Sequence, residues 1–179
     1  LYRSPRLAYD ARMLSDFAHV RPGRAADADA LDRAFRESWV LAYRGILPEP
    51  QLRGFIDRRG PEWWRSSLAD SNAMLIVDVG GAAAGYATFG KARSSLPFEG
   101  EIYELYIAPL QQGQGLGEWL FESVRERLDT RGVRGLLVWA LTENVGACEF
   151  YRRRGGEEVT TVFERFGHRL VPKTAFGWR

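Results

Sequence analysis

The chain has 179 residues, which suggests a single domain, because most domains contain roughly 100–200 residues. Hydrophobic residues make up 45% of the chain and charged residues 27%, a globular composition that excludes general disorder, and 25 basic residues nearly balance 23 acidic ones. The single cysteine excludes an internal disulfide, and with only two histidines a metal site is not expected. The sequence contains no run of about 18 apolar residues, so no membrane-spanning helix is expected.

Hydrophobic periodicity, interrupted by glycine and proline, divides the chain into strands and helices. Residues 1–18 contain only scattered apolar residues and are interpreted as an N-terminal arm, so that the domain covers residues 19–179. The elements predicted in chain order are a strand at 19–21, helices ending near 41 and at 51–58 and 62–68, strands at 73–79, 83–89 and 101–108, a helix ending near 131, a strand at 136–141, a helix at 144–154 and strands at 157–165 and 171–178. This order predicts an α/β (α+β) domain built on a mixed, mostly antiparallel sheet of about six to seven strands with helices on both faces.

A glycine-rich segment, Gln112-Gly113-Gln114-Gly115-Leu116-Gly117, connects a predicted strand to a predicted helix. Its glycines allow a ligand to approach the backbone closely. The first N–H groups of the following helix have no intrahelical partner and lie at the positive end of the helix dipole. The segment therefore predicts a phosphate or pyrophosphate site, with a loop that only turns the chain as the alternative. The glycine spacing fits neither the dinucleotide-binding G-x-G-x-x-G pattern nor a P-loop.

Two motifs follow one another on the predicted elements. The first is Gln/Arg-x-x-Gly-x-Gly/Ala, present directly after a strand as Gln112, Gly115 and Gly117. The second is Asn-x-x-Ala-x-x-Phe-Tyr-x-x-x-Gly-Phe, present on a predicted helix as Asn144, Ala147, Phe150, Tyr151 and Gly155. With both motifs in this order, roughly residues 19–178 resemble the GNAT superfamily of acyl-CoA N-acyltransferases. Gly156 replaces the usual final aromatic residue, and we expect this replacement to remove local packing and not chemistry.

The resemblance implies a cleft for acetyl-CoA between the strands at 101–108 and 136–141, which splay apart. In that cleft the pantetheine arm pairs with strand backbone, and the pyrophosphate lies on the backbone amides of the glycine-rich segment. Acetyl-CoA is the implied co-substrate, and no metal is expected. The residues implied to contact it are Leu105, Tyr106, Ile107, Gln112, Gly113, Gln114, Gly115, Leu116, Gly117, Glu118 and Asn144.

The resemblance also implies that a primary amine attacks the thioester directly in a ternary complex, without a covalent enzyme intermediate. The residues agree with this, because the chain has no nucleophile elbow and Cys148 has no histidine near it in sequence to activate it. Cys148 is therefore interpreted as a small buried side chain on a helix.

Two proton transfers need residues: a base for the amine, which is protonated at neutral pH, and an acid for the departing thiolate. Glu101 is the favoured base, since it stands eleven residues before Gln112, as the base glutamate does in histone-modifying members of the superfamily. Glu104 is the competing candidate. In a third interpretation, neither glutamate is the base and both are solvated residues at the end of a strand. Strand alternation predicts one face carrying Glu101, Tyr103, Leu105 and Ile107 and the other carrying Glu104 and Tyr106. Tyr151 is the predicted acid, with core packing as its alternative role.

Other residues also admit two interpretations. The cations of Arg152, Arg153 and Arg154 either contact the 3′-phosphate of CoA or, as we favour, stay solvated at the negative end of a helix dipole. Asn144 can serve as a helix cap and as a CoA contact. The aromatic residues that either shape the acceptor pocket or pack in the core are Trp39, Tyr43, Trp63 and Trp64.

The sequence thus predicts a cytoplasmic, acetyl-CoA-dependent N-acetyltransferase whose amine acceptor is not identified. One alternative is a non-catalytic acyl-CoA-binding module of the same superfamily. Another is a toxin-like member that acetylates aminoacyl-tRNA, which the small net charge of +2 disfavours. No membrane partner is expected, and nucleic acid is not a favoured partner. The oligomeric state stays open, with a homodimer as one option.

Overall fold

The computed structural model describes residues 17–69 and 73–179, so the predicted arm at 1–18 lies outside the described residues except for its last two. Within this part of the chain, seven strands and five α-helices follow one another in the predicted order. Their bounds are β1 Ala18–Pro22, α1 Ala28–Tyr43, α2 Glu49–Asp57, α3 Pro61–Ser67, β2 Met74–Val79, β3 Ala82–Lys91, β4 Gly100–Ile107, α4 Leu116–Asp129, β5 Leu136–Leu141, α5 Val145–Arg153, β6 Glu157–Phe166 and β7 Arg169–Trp178. None of these helices is long and apolar enough to cross a membrane.

The seven strands form one sheet in the order β1-β2-β3-β4-β5-β7-β6. Neighbouring strands are antiparallel except for β4 and β5, which run parallel. The helices pack on the sheet through two apolar clusters, one on each face. Helices α1, α2 and α3 belong to one cluster, and α4 and α5 belong to the other. The predicted mixed, mostly antiparallel sheet with helices on both faces is confirmed.

The apolar periodicity of the helices accounts for both layers of the core. In α4, the residues at every fourth position from Leu116 to Leu128 are buried against the sheet, as the spacing predicts. On the opposite face, Phe35 of α1 packs edge-on against Trp64 of α3, with ring centroids 5.6 Å apart, and both side chains are fully buried. Burial of each such side chain contributes about 1.5–3 kcal/mol.

The strands β4 and β5 separate along their length, and this opening positions the candidate site. They pair only through Gly100–Ile102 and Leu136–Val138. Beyond that point β5 remains paired with β7, while residues 104–107 of β4 have β3 as their only strand partner among the described residues. Alternate backbone N–H and C=O groups of residues 104–107 therefore face the opening. The predicted splaying of these two strands is confirmed.

A β-bulge in β4 changes which of its side chains share a face. The pairing with β3 shifts by one residue, so that Tyr103 is an extra residue in β4. Ile102 and Leu105 consequently both pack in the apolar cluster beside α4, although an odd number of positions separates them. Glu101 and Glu104 each directly precede one of these two residues, and both lie on the opposite face. The predicted alternation, which put the two glutamates on different faces, is wrong because of this extra residue.

Candidate active site

The glycine-rich segment lies at one end of the opening, between a short 3-10 turn at Pro109–Gln111 and the start of α4. Gly113 and Gly115 have positive φ angles of 75° and 80°, and apart from their chain neighbours no described residue has an atom within 4 Å of the position that a Cβ would take at either residue. Gly115 is the N-cap residue of α4, so the loop runs directly into the unpaired N–H groups of the helix. The segment is therefore an open cradle of backbone donors.

The remaining residues of this segment have separate structural roles. The Gln112 side chain donates a hydrogen bond from Nε2 to the Ile107 carbonyl at 2.9 Å, which fixes the loop to the end of β4. Leu116 is buried in the core, and a Cβ at Gly117 would lie 3.3 Å from the Phe150 ring, so Gly117 permits close packing of α4 on α5. Gln114 is exposed and donates weakly to the Leu110 carbonyl at 3.4 Å.

A cavity of about 860 Å³ occupies the opening between β4 and β5. Most of the residues implied to contact acetyl-CoA line it, the exceptions being Gln114 and the buried Leu116. Asn144 lines it as the N-cap of α5, and its Oδ1 accepts a hydrogen bond from the Ala147 N–H at 3.2 Å, as predicted for a cap. Leu105 and Ile107 direct their side chains into the core, so they offer backbone groups to the opening. The Ile107 carbonyl is already used, because Ser38 Oγ also donates to it at 3.2 Å.

Tyr151, the predicted acid, lines this cavity from α5 and is only 6% exposed. Its ring packs among aromatic neighbours, with centroid distances of 5.7 Å to Phe176 and 6.0 Å to Trp178. None of the described residues hydrogen-bonds its hydroxyl, so this group remains available to a ligand. Burial raises the pKa of Tyr151, which keeps the phenol protonated at neutral pH.

Glu101, the favoured base, is not among the residues that line the cavity. Its side chain is almost completely buried, and it accepts hydrogen bonds at 2.8 Å from the Arg93 backbone N–H and from Arg93 Nη2. The Arg93 guanidinium in turn lies 3.8 Å above the centre of the Tyr103 ring. Glu101 therefore anchors the segment that follows β3, and the structure does not bring it together with Tyr151.

Glu104, the competing candidate, does line the cavity. It forms an ion pair with Arg59 at 2.6 Å and accepts a hydrogen bond from the Tyr86 hydroxyl at 3.0 Å. Nearby, the Tyr43 and Tyr106 hydroxyls, which also belong to the cavity wall, hydrogen-bond to each other at 2.7 Å. Burial raises the pKa of Tyr43 to about 12. These polar groups form one wall of the cavity beside Glu104.

Sequence reasoning missed Arg59 and Tyr86 as partners of Glu104. Tyr86 pairs directly across from Tyr106 in the β3–β4 register, so a predicted register could have placed Tyr86 on this face. Arg59 follows α2 and is distant in sequence, and no local pattern points to it. Of the predicted aromatic wall, Tyr43 lines the cavity, whereas Trp64 is fully buried in the core.

The position after the second motif is packed, contrary to the sequence expectation. A Cβ at Gly156 would lie 2.6 Å from the indole of Trp178, which occupies the space beside the glycine. The indole Nε1 donates to the Arg154 carbonyl at 2.8 Å, and its ring lies 5.1 Å from that of Phe121. The expected loss of local packing is therefore wrong, because β7 supplies the aromatic side chain. Cys148 is buried as predicted and donates weakly to the Leu141 carbonyl at 3.6 Å.

Known proteins share both the sequence pattern and this architecture. The profile of the Acetyltransferase (GNAT) family matches residues 30–156. An uncharacterized N-acetyltransferase of Bacillus subtilis (strain 168), YuaI, is 28% identical over 161 residues, which cover 89% of this chain and 91% of that protein.

Two solved structures illustrate the similarity of fold. The PaiA N-acetyltransferase of Thermoplasma acidophilum, solved in complex with coenzyme A, has a TM-score of 0.72 at 18% identity and covers 87% of this chain and 97% of its own. YncA of Salmonella typhimurium, solved with acetyl-CoA, has a TM-score of 0.66 at 20% identity and covers 90% of this chain and 93% of its own. The family match extends over more than half of the residues, from the start of α1 to the end of the second motif. The chain therefore belongs to the GNAT acetyltransferase family.

Proposed function

We propose that the protein transfers an acetyl group from acetyl-CoA to a primary amine by direct attack in a ternary complex. One observation carries the proposal: a single cavity joins the glycine cradle, the open backbone edge of β4 and Tyr151, whose hydroxyl has no hydrogen-bond partner among the described residues. These three features suit the pyrophosphate, the pantetheine arm and the departing thiolate of acetyl-CoA.

The residues of the cavity fit acetyl-CoA. The open space beside Gly113 and Gly115 allows phosphate oxygens to approach the backbone N–H groups at the start of α4. The open edge of β4 at Leu105 and Tyr106 can hydrogen-bond the amide groups of a pantetheine arm as an added strand would. When bound, acetyl-CoA supplies an acyl thioester and a thiol leaving group.

Tyr151 is proposed to donate its phenolic proton to the departing sulfur. Its position on the cavity wall and the absence of a competing hydrogen bond from the described residues support this role. Because burial raises its pKa, the phenol carries the proton to be donated throughout the neutral pH range.

Glu104, and not Glu101, is proposed to accept the proton of the amine, directly or through water. Both carboxylates have partners, Arg59 and Tyr86 for Glu104 and Arg93 for Glu101, but only that of Glu104 belongs to a residue that lines the cavity. The Tyr43–Tyr106 hydroxyl pair borders the same space and is proposed to help orient the acceptor amine. The proposed acceptor side is thus polar and aromatic.

Calorimetry with CoA, followed by thiol release from acetyl-CoA across a panel of primary amines, tests the proposal. We expect CoA to bind and thiol to appear only when a suitable amine is present. CoA binding without thiol release from any amine would favour the non-catalytic module. Salt-sensitive retention of tRNA, together with acetylation of its aminoacyl group, would favour the toxin-like alternative.

A further inference from the structure

Three consecutive arginines end α5, and the third differs from the other two. The side chains of Arg152 and Arg153 are 49% and 64% exposed, as the solvated interpretation predicts, whereas that of Arg154 is only 11% exposed. Burial lowers the pKa of Arg154. A guanidinium buried to this extent needs partners in the protein, because desolvation of a charge is costly.

The partners of Arg154 fix its side chain in one place. Nη2 lies 3.0 Å from Glu118 Oε2, Nη1 donates to the Phe150 carbonyl at 3.1 Å, and the guanidinium lies 3.7 Å from the centre of the Phe150 ring. The same ring fills the space beside Gly117, so these contacts link the end of α5 to the first turn of α4. Nε is buried without a hydrogen-bond partner among the described residues.

Glu118, the ion-pair partner, occupies an unfavourable place for a phosphate site. It lies in the first turn of α4 and lines the cavity together with Gly115 and Gly117. A carboxylate in this turn is favourable for the helix dipole, but it repels phosphate groups bound at the same helix end. Among the described residues, Arg154 is the cation that pairs with it.

We propose that Arg154 is a positioning residue that neutralises Glu118 and so keeps the glycine cradle attractive to the phosphates of CoA. This inference rests on the proposed CoA site. The inference changes the role predicted for Glu118. Glu118 does not contact CoA, and Arg154 holds its carboxylate away from the phosphates. The pair also ties the cradle to the helix that carries Tyr151.

A double-mutant cycle with CoA binding as its readout tests this inference. Arg154→Met keeps an apolar stem over Phe150 and exposes the charge of Glu118, so we expect CoA affinity to fall by roughly tenfold. Glu118→Gln removes the repulsive charge and leaves Arg154 in place, so affinity should rise by roughly three- to tenfold, with a steeper salt dependence. The double variant should bind CoA nearly as tightly as the wild type. The same ranking is expected with ADP, which carries a pyrophosphate but no pantetheine.

The matched control is Arg152→Met, since Arg152 is paired with Glu158 at 2.6 Å and does not line the cavity. This variant should bind CoA within about a factor of two of the wild type. A double variant as weak as Arg154→Met would overturn the inference, because it would mean that Arg154 contacts phosphate itself. Unchanged affinity in folded Glu118→Gln, whose amide oxygen can still accept a hydrogen bond from Arg154, would overturn it as well. Wild-type protein that binds no CoA would instead refute the proposed function on which the inference rests.

Discussion

Replacing Tyr151 by phenylalanine separates the proposed chemistry of the hydroxyl from the packing of the ring. The ring contacts with Phe121, Phe176 and Trp178 survive the change, since only one oxygen is removed. No hydrogen bond to a described residue is lost, so the free energy of unfolding should change by less than about 1 kcal/mol. Tyr43→Phe provides the contrast, because it deletes one partner of the 2.7 Å hydroxyl pair and should cost about 1 kcal/mol or more.

The rate of acetyl transfer should respond far more strongly than stability to Tyr151→Phe. General acid catalysis typically contributes about 10²–10⁴-fold, and we expect the lower part of this range, because a thiol with a pKa near roughly 8.5 leaves tolerably as an anion. Burial raises the pKa of Tyr151, so the phenol of the wild type stays protonated from about pH 6 to about pH 9. The lower rate of the variant should therefore persist over the same pH range. Single-turnover transfer measures this step without interference from product release. A folded variant with wild-type single-turnover rates over that range would refute the assignment of Tyr151 as the acid.

Three further predictions test separate parts of the site and fold. Gly115→Glu should abolish CoA binding in calorimetry, because it places a side chain and a negative charge in the cradle, while Gly115→Ala controls for the strain of a positive φ. Glu104→Gln should lower turnover at neutral pH, and part of the turnover should return at higher pH, where more of the amine is neutral. Glu101→Gln should mainly lower the stability of the fold. The reverse pattern would contradict our choice of base. Trp178→Ala should lower the free energy of unfolding by about 3–5 kcal/mol in urea titrations, and a loss below about 1 kcal/mol would contradict its packing role beside Gly156.

The order of the elements was predictable because each one carries its own local signal. The stripe from Leu116 to Leu128 has helical spacing, and the apolar run at 136–141 fits a strand that is buried for most of its length. The glycine cradle and the Asn144 cap were equally local, since residues only a few positions apart form them. These features depend on short-range geometry, which a single sequence contains.

The partners of the two glutamates were not predictable in this way. Glu101 is held by Arg93 across the end of the β3–β4 hairpin, and Glu104 is held by Arg59, which lies 45 positions away in sequence. Likewise, the aromatic group beside Gly156 comes from Trp178 on another strand. Each of these contacts requires knowledge of which elements meet, and periodicity within one element does not contain that information.

The bulge at Tyr103 connects the architecture of the sheet to the chemistry of the cavity. It follows Ile102 directly, and Ile102 is the last residue of β4 that pairs with β5, so the two strands separate where the extra residue lies. Bulges bend a strand and re-aim its side chains, which accounts for the open edge and for the turn of Glu104 into the cavity. Gly90 accommodates the extra residue, because a Cβ there would lie 2.6 Å from the Tyr103 hydroxyl. A regular β4 would put Glu104 on the face beside α4 if Glu101 stayed in place, and the cavity would lose the carboxylate proposed as the base.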